Sequence, residues 1–88
     1  MLWIKRPIWK RVASNIKTTR EWKGFSQEEV SLRSGIDLKS LKRIERGVTN
    51  DLTLEQTFRI ICALKCEVEE IIPMLNPKYL KLEYITSQ

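Results

Sequence analysis

Histidine is absent from this chain of 88 residues, and glycine, proline and cysteine are sparse. Without histidine the chain lacks the commonest general base and metal ligand, and no Ser–His or Cys–His nucleophile pair can form within it. Three glycines, three prolines and two cysteines, beside 42% hydrophobic residues, exclude collagen-like, disordered and disulfide-stapled compositions. We therefore expect one small globular domain over residues 1–88 that is not an enzyme and needs no cofactor.

Long hydrophobic runs are also missing. The apolar residues of segment 1–10 are interrupted by Lys5, Arg6 and Pro7, so this segment has neither the length of a membrane span nor the core of a signal peptide. The cytoplasm is the expected compartment. Cys62 and Cys66 lie four apart in a helical pattern, and two copies of the chain could supply four thiolates to zinc, but the lack of histidine favours two ordinary cysteines.

Positive charge is concentrated in the first half of the chain. Residues 1–46 hold 12 basic and 5 acidic residues, whereas residues 47–88 hold 4 basic and 6 acidic ones. Such asymmetry is compatible with a first half that faces a polyanion and equally with a basic surface that is merely soluble.

Cap and turn residues divide the chain into helices. Apolar residues at three- and four-residue steps predict a first helix over about 8–23, ended by Gly24. Ser26 and Glu29 have the spacing of a capping box for a second helix that stops at Ser34-Gly35.

Three more helices follow. Asp37 is a candidate N-cap for a helix over 38–46 that Gly47 ends, and Thr53 is one for a helix over 54–64. A last helix is predicted over about 68–74. The arms at 1–10 and 76–88 contain short alternating patterns that could pair as strands.

The predicted third helix has a basic outer side. Leu41 and Ile44 form its narrow apolar stripe, and four cations follow at steps of four residues or fewer: Lys39, Lys42, Arg43 and Arg46. Their mutual repulsion would be relieved by a polyanion, which points to nucleic acid. Two short helices joined by a turn, the second one basic, are typical of a helix-turn-helix.

The motifs go further than this pattern. Gly24-Phe25-Ser26-Gln27-Glu28-Glu29-Val30, Ser34-Gly35-Ile36-Asp37 and Ile44-Glu45-Arg46-Gly47 occur in one order and spacing. Together they resemble the Xre-type family of phage repressors and Cro-like proteins over residues 12–72. The resemblance implies an all-α, five-helix, lambda-repressor-like domain.

The resemblance also implies roles for single residues. Lys39, Arg43 and Ser40 match base-reading positions, and Gln27 matches the glutamine whose amide contacts a DNA phosphate and steadies the recognition helix. Lys42, Arg46 and Asn50 are expected at phosphates, which position a protein without specifying sequence. Arg20 and Glu45 match a salt bridge between helix one and the recognition helix. Lys65 departs from the pattern, because relatives usually have glycine there.

The function implied is a double-stranded-DNA-binding transcriptional regulator, with a repressor expected, made by a prophage, a mobile element or a restriction–modification system. Such proteins read two half-sites, so a homodimer on a palindromic operator is expected, its interface built from helix five and the arms. The alternative is a protein-interaction module such as an autoregulating antitoxin, although the arms are short for binding a toxin.

Overall fold

The computed structural model describes residues 6–48 and 52–73, and these ranges contain five helices. The helices run in the order α1 (Arg6–Trp22), α2 (Gln27–Ser34), α3 (Leu38–Arg46), α4 (Leu54–Leu64) and α5 (Val68–Ile71). This arrangement confirms the all-α, five-helix prediction. The predicted pairing of the arms falls outside the described residues, apart from residues 6–10, which belong to α1.

The helix boundaries follow the capping residues. Ser26 Oγ accepts from Glu29 N at 3.0 Å while Glu29 Oε1 accepts from Ser26 N at 3.0 Å, which completes the predicted capping box. Gly35, with φ of 75°, takes the left-handed conformation that ends α2 and turns the chain toward α3. A side chain at that φ would be strained, so glycine is what makes this short turn favourable.

The fourth helix ends on an unusual residue. Lys65 has φ of 55°, the one positive φ outside glycine among the described residues, at the position where the resemblance leads us to expect glycine. The left-handed turn is kept nonetheless, because Lys65 N donates to Cys62 O at 3.2 Å and Lys65 O accepts from Lys23 Nζ at 3.0 Å.

The fifth helix is shorter than predicted. It ends at Ile71, and Ile72 already has φ of −120° and ψ of 82°. The ring of a proline pushes the residue before it out of the helical region. Pro73 therefore keeps Ile72 out of the helix, and α5 ends at Ile71. The last carbonyl of α5 is bonded instead by Asn15 Nδ2 of α1 at 3.1 Å.

The core lies where α1 meets the other helices. Helix α1 packs on α3, α4 and α5, and α2 packs on α3 and α4. The most deeply buried large side chains are Val12, Ile16, Val30, Leu41, Leu52, Ile60, Leu64 and Ile71. One face of α3 is thus fixed in the core while the other faces outward. Among the described residues, no helix is both long enough and apolar enough to cross a bilayer.

Candidate nucleic-acid interface

The two faces of α3 differ completely. Leu41, Ile44 and Glu45 are buried, whereas the four cations Lys39, Lys42, Arg43 and Arg46 are exposed. Because a helix advances about 100° per residue, these four side chains occupy an arc of only about 100°. The structure therefore brings all four predicted contact cations together on one surface, which we call the α3 cation face.

The beginning of α3 is held by its cap. Asp37 Oδ2 accepts from Ser40 N at 3.1 Å, and Ser40 Oγ donates to Asp37 Oδ1 at 2.8 Å. The hydrogen bond from the Ser40 hydroxyl lowers the pKa of the exposed Asp37 carboxyl below its usual value. Ser40 lies beside the α3 cation face, but its hydroxyl proton is engaged in the cap. A base contact made by Ser40 would need that proton to move or would use the hydroxyl oxygen as acceptor, so its reading role stays a prediction.

The end of α3 is anchored by a buried carboxylate. Arg20 Nε lies 2.7 Å from Glu45 Oε2, and Arg20 Nη2 lies 3.0 Å from Glu45 Oε1. The side chain of Glu45 is only 2% exposed and that of Arg20 12%. Arg20 Nη1 also donates to Phe25 O at 2.9 Å, so one guanidinium holds α1, the entry to α2 and α3 in a fixed relation. The hydrogen bond to Glu45 raises the pKa of Arg20, which keeps it charged.

Gln27 joins the same network. It is the first residue of α2, and its Nε2 donates to Glu45 Oε1 at 3.1 Å, a contact that sequence reasoning missed. A primary amide has two N–H donors, so one remains for the predicted phosphate contact. The Arg20–Glu45–Gln27 network sets the orientation of α3 relative to the start of α2.

Asn50 lies outside the described residues, so its predicted phosphate contact stays a prediction. The residue before that gap, Val48, is 59% exposed. Its amide donates to Arg43 O at 3.3 Å, which closes the end of α3.

The two cysteines differ in their exposure to solvent. Cys62 is exposed, while burial raises the pKa of the Cys66 thiol to about 11, so that thiol stays protonated near neutral pH. Within residues 6–48 and 52–73, no group of three or more metal-ligating side chains is found.

Two cations of α1 had no role in the sequence prediction. Lys10 and Lys17 are exposed, and both line a cleft that also contains Arg46 of α3. Their seven-residue spacing places them on one side of a helix, and this spacing is the signal that could have found them. Only the packing of α1 on α3 places that side next to the α3 cation face.

The chain matches known proteins over the same elements. Residues 16–71 match the sequence model of the helix-turn-helix family, and this range contains α2, α3, α4 and α5 and the last seven residues of α1. None of the curated proteins matches the chain significantly.

Solved structures of restriction-modification controller proteins are similar along most of their length. The controller protein C.AhdI from Aeromonas hydrophila is 28% identical, with a TM-score of 0.66 over 76% of this chain and 98% of its own. The wild-type controller C.Esp1396I is 29% identical, with a TM-score of 0.69 over 83% of this chain and 95% of its own. C.Esp1396I is also solved as a tetramer bound to its natural 35 base-pair operator.

A more distant structure agrees in fold. A hypothetical transcription factor, NHTF from Neisseria, is 22% identical with a TM-score of 0.66 over 100% of this chain and 94% of its own.

Proposed function

The chain belongs to the Xre-type, lambda-repressor-like helix-turn-helix family of DNA-binding transcriptional regulators, and we propose that it is a repressor. It acts as a homodimer that inserts the α3 helix of each subunit into successive major grooves of a palindromic operator. The observation that carries this proposal is the α3 cation face, where four exposed cations share one side of a helix whose other side is fixed in the core. An exposed, rigidly mounted basic helix of this size matches the width of the major groove.

The residues of α3 divide into readers and positioners. Lys39 and Arg43 contact base edges in our proposal, because their long cationic side chains pair well with guanine O6 and N7. Ser40 lies beside them at the start of the helix and contributes a shorter contact. Lys42 and Arg46 contact phosphates, together with Gln27 and with Asn50 in the loop that follows α3.

The buried network explains how such readers keep a fixed register. Arg20 and Glu45 hold the end of α3, and Gln27 links the same carboxylate to the phosphate that its amide contacts in our proposal. A backbone contact made through Gln27 would thus be coupled directly to the position of α3. Arg20 and Glu45 act in this proposal as positioning residues and do not touch DNA.

Dimerisation supplies the second recognition helix. One nine-residue helix reads only a few base pairs, and two-fold related helices read half-sites about 34 Å apart. Two similar proteins are named as restriction-modification controllers, one of them a tetramer on its operator, which supports an operator with repeated sites and a role in regulating a restriction–modification or other mobile gene cluster.

Selection of binding sites from random DNA tests the function. Enrichment of a palindrome with half-sites one helical turn apart is the expected outcome. A reporter gene placed behind the selected site should fall in expression when the protein is supplied, and a rise would overturn the repressor role. Failure to enrich any sequence would contradict sequence-specific binding and favour a protein-interaction module.

Arg43→Ala tests the division of roles. We expect it to weaken binding to the selected site by about 1–3 kcal/mol and to relax one base position, because a base contact discriminates by that amount. Lys42→Ala, one residue away on the same face, is the matched control: it should weaken specific and random duplexes alike and lower the salt slope. Equal losses by Arg43→Ala on both kinds of DNA would contradict its role as a reader.

A further inference from the structure

A second group of cations lies beside the end of α3, in a cleft between α1 and α3. The cleft has a volume of about 390 Å³, and its lining residues are Lys10, Ala13, Ser14, Lys17, Glu45, Arg46 and Gly47. Lys10, Ser14 and Lys17 are exposed on one side of α1, and Arg46 is exposed opposite them. Lys10 and Ser14 lie before residues 16–71, the range that matches the sequence model of the family.

The charge of this cleft is not balanced by the protein. The carboxylate among its lining residues belongs to Glu45, whose side chain is 2% exposed and already receives hydrogen bonds from Arg20 and Gln27. Within residues 6–48 and 52–73, the ion pairs are Arg20–Glu45 and Arg59–Glu55, so neither involves a cation of the cleft. Three cations thus face one open space together with a hydroxyl donor.

The cleft is continuous with the α3 cation face, because Arg46 belongs to both. An anion bound there would lie at the end of α3 farthest from its capped start, beside the left-handed turn at Gly47. Its position extends the basic surface from the helix-turn-helix onto α1. The surface that this creates is longer than α3 alone.

We propose that Lys10, Ser14 and Lys17 form, with Arg46, a second binding site for backbone phosphates of the DNA, flanking the segment that α3 reads. The proposal rests on the proposed function, since the same duplex must occupy the α3 cation face. Ammonium groups and a hydroxyl donate to phosphate oxygens without regard to base identity, so this site adds affinity and salt dependence but no sequence preference.

The double variant Lys10→Gln/Lys17→Gln tests the site. Its affinity for a fluorescently labelled duplex of random sequence is measured by anisotropy over a series of salt concentrations. Loss of two phosphate contacts should reduce the slope of log K against log salt by about 1.8, and the affinity at about 0.1 M salt should fall on the order of tenfold or more. Both side chains are exposed, so circular dichroism should show an unchanged fold.

Arg59→Gln/Lys65→Gln is the matched control. It also removes two positive charges, but from exposed positions on α4 and at the end of α4. Neither position belongs to the α3 cation face or to the cleft. A loss of slope confined to the Lys10/Lys17 variant supports the proposal. An equal loss in both variants, or an unchanged slope in the Lys10/Lys17 variant, overturns it.

The results also distinguish a failure of the second phosphate site from a failure of the proposed function. If the wild-type protein binds DNA with Arg43→Ala acting as expected, but the Lys10/Lys17 variant binds like the wild type, only the second site is wrong. If the wild-type protein binds no duplex at any salt concentration, the proposed function fails and the second site fails with it.

Discussion

The inner and outer faces of α3 carry charges of opposite sign in opposite surroundings. Glu45 on the inner face is buried and satisfied by Arg20 and Gln27. The cations of the outer face are exposed, and none of them belongs to an ion pair among residues 6–48 and 52–73. A charge that has its partner inside the protein fixes the fold, whereas a row of like charges without one is available to a ligand.

The comparison predicts that substitutions on the two faces affect different properties. Inner-face changes should lower the free energy of unfolding and affect DNA binding only indirectly, through stability and through the orientation of α3. Outer-face changes should leave stability nearly unchanged. Neighbouring residues of α3 can therefore separate the two effects.

Leu41→Ala should have the largest effect. Leu41 is fully buried, so truncation removes its packing and leaves a cavity, and we expect the free energy of unfolding to fall by about 3 kcal/mol. Lys42→Ala, the next residue but on the outer face, should change it by less than about 0.5 kcal/mol. Urea denaturation followed by circular dichroism measures both. Similar losses in the two variants would remove the distinction between the faces.

Glu45→Ala should come next and lower the free energy of unfolding by about 2–3 kcal/mol, because the nearly buried Arg20 guanidinium loses its charged hydrogen-bond acceptor. Glu45→Gln keeps an acceptor oxygen and should recover part of the loss. Glu28→Ala, an exposed acidic residue of α2, is the control for removing one negative charge. A Glu45→Ala variant as stable as Glu28→Ala would show that the buried network contributes nothing to stability.

Substitution of Asp37 should have the smallest effect on the free energy of unfolding, and this effect should depend on pH. Because its pKa is lowered in the folded protein, Asp37 contributes stability above the pKa of an unfolded aspartate, and this contribution is lost as the pH falls through the lowered value. Asp37→Asn keeps a capping oxygen but cannot titrate. The variant should therefore lose less stability than the wild type between about pH 5 and pH 2. Parallel losses in the two proteins would contradict a titrating cap.

The helix boundaries could be predicted because their signals are local. A capping or ending residue acts on backbone groups within one helical turn of its own position. Each of these residues caps or ends a helix as its position suggests: Ser26 with Glu29, Asp37, Gly47 and Thr53. The observed end of α5 lies three residues before the predicted one, because Pro73 forces Ile72, the residue before it, out of the helical region.

The candidate site was predictable in its residue types but not in its connections. The cations of α3 and the Arg20–Glu45 pair follow from the motifs, and the structure places them as the motifs imply. The hydrogen bond from Gln27 to Glu45 is the connection that the resemblance does not specify, because it depends on how α2 packs on α3. The hydroxyl of Ser40 could have been foreseen in the cap, because it lies three residues after Asp37.

Residue order alone was enough to define the helices, the family and the basic side of α3, because caps, turns and charge spacing act over a few residues. The tertiary structure decided which charges are used inside the protein and which remain outside. Glu45 and Arg46 are neighbours in the sequence, yet one is buried against Arg20 while the other faces Lys10 and Lys17 across a cleft. Only the packing of α1 on α3 brings these groups together, since they lie about 30 residues apart in the chain.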